Sequence, residues 1–140
     1  MKPTLQRFAA LGAVLVLVLA ACGGGNATAG DGQTFETIPP TKAAALIEDA
    51  PEGLVVLDVR TAQEFAEGHL PGAVNVDFYA SDFAEQLDRL QKDVPYVLYC
   101  RSGNRSGQTM PIMEQLGFRE VHEIDGGIIS WYAEGLPLEQ

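Results

Sequence analysis

The stretch of this 140-residue sequence best suited to chemistry is a cysteine that closes an apolar run and is followed by two arginines within five residues. Val97-Leu98-Tyr99-Cys100-Arg101-Ser102-Gly103-Asn104-Arg105-Ser106 reads as a buried strand delivering a thiol to a polar loop. Cysteine is nucleophilic as its thiolate, and its ordinary pKa of about 8.5 falls beside cations or helix-terminal amides. Arg101 and Arg105 supply cations, Gly103 lets the backbone curl without a Cβ clash, and Ser106 is placed to cap a helix starting there. Amide groups turned inward by such a loop form a nest for an anion, whether thiolate, persulfide or oxyanionic substrate. A buried structural cysteine is the plainer alternative; the Arg/Gly/Arg surroundings favour the reactive thiol.

The chain that must position this thiol is 46% hydrophobic and 20% charged, the balance of a globular domain, and its length suits one such domain. The N-terminus stands apart. Lys2 and Arg7 precede an apolar run from Phe8 to Ala21, short for a spanning helix and matched to a signal-peptide core. It ends Leu19-Ala20-Ala21-Cys22, which resembles the lipobox of bacterial lipoprotein precursors, in which the cysteine takes a diacylglycerol before cleavage. The resemblance implies a signal peptide over 1–21 and lipid attachment, palmitate included, at Cys22. The protein would then sit in the bacterial cell envelope, on the extracytoplasmic face of a membrane. Gly, Ala, Asn and Thr dominate the following residues, so 22–33 reads as the lipid-bearing cysteine and a flexible tether, and 34–140 as the folded domain.

Loss of residues 1–21 leaves seven Lys and Arg against 19 Asp and Glu, a side-chain balance of −12. That charge argues against nucleic acid as a partner and against anionic lipid meeting the protein surface, so membrane attachment falls to the lipid. With Cys22 acylated, Cys100 is the one remaining thiol. No intrachain disulfide can form, and a covalent cycle at Cys100 needs an external acceptor.

From Thr34 onward short apolar runs alternate with helical patterns. Strands are expected at Phe35–Ile38, Leu54–Leu57, Val74–Val76, Tyr96–Tyr99 and Glu120–Ile124. Helices are expected after Pro40, after a Thr61/Glu64 capping box, after Ser81 as cap, from Ser106 to Leu116, and from Ile128 to Glu134 with Trp131 inward. Pro111 inside the fourth helix predicts a kink or a distorted first turn. This alternation predicts a parallel sheet covered on both faces, with ligands at the carboxyl ends of its strands, where Cys100 and Asp58 both fall.

Asp58-Val59-Arg60 with Glu64-Phe65, Gly68-His69-Leu70-Pro71-Gly72-Ala73-Val74-Asn75, the Cys100–Ser106 loop, Gly117-Phe118, and Asp125-Gly126-Gly127 with Trp131 together resemble the rhodanese family, over about Thr34 to Pro137. The resemblance implies a three-layer α/β/α domain around a five-stranded parallel sheet. It also implies sulfurtransferase activity through a cysteine persulfide. Four residues separate Cys100 from Arg105, whereas related dual-specificity phosphatases and arsenate reductases place five there. The shorter loop is similar to those sized for a sulfane sulfur.

The expected reaction is ping-pong: Cys100 takes sulfur from thiosulfate or a persulfide donor and passes it to cyanide or a thiol. Loop amides across Arg101, Ser102, Gly103, Asn104 and Arg105 would hold the sulfur anion. Arg101 is expected at the mouth, attracting the donor's charge, or else simply solvated. Arg105 is expected to hold the loop through backbone or carboxylate contacts. Asp58 and Arg60 read as structural support near the site. His69 belongs to a turn remote from the thiol, and His122 reads as solvent-facing on its strand. Two histidines and one free cysteine, widely spaced, do not make a metal site, and nothing points to a cofactor. A non-catalytic module that carries sulfur or docks a partner is the alternative on the same fold.

Overall fold

The computed structural model describes residues 32–140; the segments expected to be a signal peptide and a tether, with Cys22, lie outside the described residues except for residues 32 and 33. Ten elements alternate along the chain: β1 (Thr34–Ile38), α1 (Pro40–Asp49), β2 (Val55–Asp58), α2 (Ala62–Ala66), β3 (Val74–Asn75), α3 (Phe83–Asp88), β4 (Pro95–Tyr99), α4 (Asn104–Gln115), β5 (Glu120–Ile124) and α5 (Gly127–Ala133). The strands form one parallel sheet in the order β1-β5-β4-β2-β3. Helices cover both faces of it, giving the three layers and five parallel strands expected.

Side-chain alternation along β4 explains the layers. Tyr96, Leu98 and Cys100 point to one face, where Phe83 and Leu87 of α3 and Met113 of α4 close the core with Phe118. Val97 and Tyr99 point to the other, against Ala43 of α1 and Trp131 of α5. The odd-even rule of a strand thus puts the thiol on the α3/α4 side, and Cys100 is only 1% exposed.

Local signals set several boundaries as expected. Pro40 stands in the first turn of α1, where its missing N–H costs nothing. Thr61 and Glu64 form a reciprocal capping box on α2, and Gly117 follows α4 at φ 88°. Other expectations are corrected. The cap position of α3 falls to Asp82 rather than Ser81, and Asp82 Oδ1 accepts from Gln86 Nε2 (2.8 Å) instead of a backbone amide. Helix α4 starts two residues earlier than Ser106, from Gly103 in the left-handed region at φ 95°. Pro111 lies inside this helix and deprives the Gly107 carbonyl of its donor, but Gly107 is exposed, so water can replace it.

His122 is not solvent-facing. It is 8% exposed, with Nδ1 2.9 Å from Glu36 Oε1 and Nε2 2.8 Å from Glu120 Oε1. Strand β5 lies between β1 and β4 in a sheet covered on both faces, so its positions after Glu120 are buried.

Candidate active site

The carboxyl ends of β2, β4 and β5 converge, and the chain after each contributes to one site. Where β4 ends, the Tyr99 carbonyl accepts from Val59 N–H (3.0 Å), the Cys100 carbonyl from Ile128 N–H (2.9 Å) and the Arg101 carbonyl from Ile129 N–H (3.2 Å). The start of the loop is therefore held by the chain after β2 and by the first turn of α5. Gly127 lets α5 come this close: a Cβ there would lie 2.5 Å from the Cys100 carbonyl oxygen and 2.8 Å from the Arg101 carbonyl carbon and oxygen.

The loop then turns back over the sulfur. Gly103 N–H donates to Cys100 Sγ at 3.1 Å, and Ser106 Oγ lies 3.3 Å from the same atom. Burial pushes the Cys100 thiol up, but the Ser106 hydroxyl and the backbone amides of Ser106, Ser102 and Gly103 outweigh it and leave the thiol below its ordinary value. Hydrogen bonds at the opening of α4 carry this effect; neither arginine touches the sulfur.

Arg105, at the end of the loop, holds Glu64 of α2 through two parallel hydrogen bonds of 2.7 Å. Its guanidinium also lies over the Tyr79 ring, 5.6 Å from the centroid. Asp58 and Arg60 form a buried pair, with Arg60 Nη2 2.6 Å from Asp58 Oδ2 and 2.8 Å from the Gly68 carbonyl. Arg101 is exposed and lines a cavity of about 340 Å³ with Arg60, Glu64, Ile128, Ile129 and Tyr132. Cys100, 1% exposed, does not line that cavity; its neighbour Arg101 does. His69 stacks on Phe65 with ring centroids 3.9 Å apart and bridges to Glu139; none of these contacts involves Cys100, Ser106 or Glu123.

Three site residues escaped the sequence reading. Glu64 was legible as a capping residue but not as the partner of Arg105. Ser106 was read as a helix cap, and it contacts the sulfur from within the helix. Glu123 is 7% exposed and accepts from Ser106 Oγ (2.7 Å) and Thr37 Oγ1 (2.9 Å). The available signal was a carboxylate two residues after Val121, in phase with the core face of β5. Among the described residues no group of three His, Cys, Asp or Glu could hold a metal ion, and no helix is long and apolar enough to cross a membrane.

A parallel three-layer domain with a single cysteine at the carboxyl end of its central strand, its sulfur met by the amide of a short loop, defines a class of cysteine-loop proteins. Residues 39–134 match the rhodanese-like domain, and the chain belongs to that family. The putative sulfurtransferase YtwF of Bacillus subtilis is 38% identical over 102 residues, covering 71% of this chain and 96% of that protein. The thiosulfate sulfurtransferase GlpE of Pseudomonas savastanoi is 38% identical over 100 residues, covering 71% and 89%. A crystal structure of a rhodanese-related protein from Thermoplasma volcanium matches with a TM-score of 0.65 at 30% identity, covering 75% of this chain and 98% of that one.

Proposed function

We propose that the protein is a sulfurtransferase that carries a sulfane sulfur on Cys100, held at a membrane by lipid on Cys22. The observation that carries the chemistry is the contact of Gly103 N–H and Ser106 Oγ with Cys100 Sγ. The Gly103 amide favours the thiolate over the thiol, and the Ser106 hydroxyl stands within reach of the sulfur as a second donor. Relatives named as sulfurtransferases at 38% identity support the same reading.

In the first half-reaction the Cys100 thiolate attacks the outer sulfur of thiosulfate. The Sγ–S bond forms, the S–S bond of thiosulfate breaks, and sulfite leaves with its electron pair. Negative charge passes to the outer sulfur of the persulfide, where loop amides receive it. In the second half-reaction a thiophile such as cyanide or a thiol attacks that outer sulfur, and the bond pair returns to Sγ as thiolate. Arg101 draws the anionic donor to the mouth of a strongly acidic protein. Arg105 keeps the loop's shape through Glu64.

Steady-state kinetics test this. Thiocyanate formation from thiosulfate and cyanide should give parallel double-reciprocal lines, as a ping-pong cycle requires, and Cys100→Ser should give none. Intersecting lines would exclude the persulfide cycle, and absence of product from the wild-type protein with any sulfane donor would leave the sulfurtransferase reading without support.

A further inference from the structure

Ser106 holds one hydroxyl proton between two acceptors. Its Oγ is 2.7 Å from Glu123 Oε1 and 3.3 Å from Cys100 Sγ, and Ser106 is fully buried. A hydroxyl donates to one of the two at a time. While Ser106 donates to the Glu123 carboxylate, a Cys100 thiolate lacks that donor and faces a lone pair instead. A thiol, which can itself donate to Oγ, fits this arrangement, and so does the uncharged inner sulfur of a persulfide.

The surroundings leave Glu123 few other partners. From β1 comes Thr37, donating to Oε2 at 2.9 Å. From α4 come Ser106 and Gly107, and from the loop before it Gly103; a Cβ on Gly103 or Gly107 would lie in ordinary contact with Oε1, at 3.8 and 3.7 Å. On β4, Leu98 stands opposite in register, and Cys100 follows it. On β5 itself, His122 turns away to Glu36 and Glu120, and Asp125 is exposed. Among the described residues no Lys, Arg or His forms an ion pair with Glu123. Its pull on the Ser106 proton is therefore opposed only by the sulfur.

We propose that Glu123 is a positioning residue for Cys100, acting through the Ser106 hydroxyl as a one-proton switch that disfavours the bare thiolate and favours the sulfur-loaded state. This rests on the sulfurtransferase reading for its benefit, though not for its geometry. When thiosulfate loads the enzyme, the charge on Sγ moves to the outer sulfur, and the Ser106 proton turns to Glu123. When sulfur is handed on, the charge returns to Sγ and the proton turns back. A thiolate held at higher energy is the stronger nucleophile, as the fall of thiolate nucleophilicity with thiol pKa requires.

The test is the rate of Cys100 alkylation by iodoacetamide against pH, a reaction that involves no sulfur transfer. Glu123→Gln removes the carboxylate's charge and leaves the Ser106 proton to the sulfur. The midpoint of the profile should fall by about one pH unit, about tenfold more thiolate at pH values below it. In a Ser106→Ala background the same substitution should shift the midpoint by less than half as much. Thr37→Val removes the competing donor to Glu123, makes the carboxylate lean harder on Ser106, and should move the midpoint up. A folded Glu123→Gln protein with an unchanged or raised midpoint overturns the proposal, and so does an undiminished shift without Ser106. Should Glu123→Gln fail to fold, an unchanged midpoint in Thr37→Val overturns it. A wild-type protein that never forms a persulfide would refute the sulfurtransferase reading while leaving these outcomes readable.

Discussion

Glu64 and Arg105, 41 residues apart in sequence, meet fork to fork through two hydrogen bonds of 2.7 Å that fasten the end of the cysteine loop to the first turn of α2. Glu64 also accepts from the Thr61 backbone and hydroxyl, so one carboxylate finishes a helix cap and anchors the loop.

The Arg105 hydrogen bonds outweigh burial and, with those from Thr61, hold the Glu64 carboxyl near 2 instead of 4.5. A depressed folded-state value stabilises above the ordinary pKa and is lost as pH falls through the folded one. Glu64→Gln should therefore cost about 1–2 kcal/mol at neutral pH, allowing for solvent screening at this half-buried pair. The difference from wild type should be complete above about pH 4.5 and shrink as pH falls toward 2. Urea denaturation across that range checks it, and a difference independent of pH would place the effect elsewhere.

Asp58 is fully buried and Arg60 is 5% exposed, so removing either strands a charge. Arg60→Met or Asp58→Asn should each destabilise the domain by about 3–5 kcal/mol, and replacing both with apolar residues should cost less than the sum. Chemical denaturation of the two single variants and the double variant measures this coupling.

How much of this was legible in the sequence depends on distance along the chain. The Thr61/Glu64 cap, Pro40 at the head of α1, and the Cys100 loop at the end of an apolar strand are local patterns, and each lies where the pattern put it. The Glu64–Arg105 contact joins two motifs that are each legible alone; only the folded sheet brings them together. Ser106 was misplaced because a serine suits a helix cap, yet Gly103, free to adopt φ 95°, starts the helix earlier and turns the serine onto the sulfur. The periodicity of β5 hid the burial of His122 and Glu123, since polar residues on a strand usually mark a solvent face, whereas this central strand is buried from Val121 to Ile124.

Gly127→Ala should be among the most damaging changes of a single methyl. The new Cβ would press on the Cys100 and Arg101 carbonyls at 2.5 and 2.8 Å and demand a left-handed φ of 60° from alanine. Expected are a loss of about 2–3 kcal/mol and a larger fractional loss of turnover, because the displaced backbone carries Cys100, the proposed nucleophile. Thermal unfolding together with kcat separates the two effects.

Arg101→Ala should raise KM for thiosulfate several-fold with a smaller change in kcat if, as proposed, this exposed side chain draws in the donor without touching Sγ. The wild-type kcat/KM should fall with added salt, and the variant's should respond less. Equal salt dependence in both proteins would remove Arg101 from donor capture.

The most direct measurement is the intact mass of the purified protein before and after thiosulfate, and again after cyanide. A persulfide on Cys100 should add one sulfur, about 32 Da, which cyanide removes and which Cys100→Ser never gains. No gain of mass from thiosulfate, polysulfide or glutathione persulfide would contradict the account.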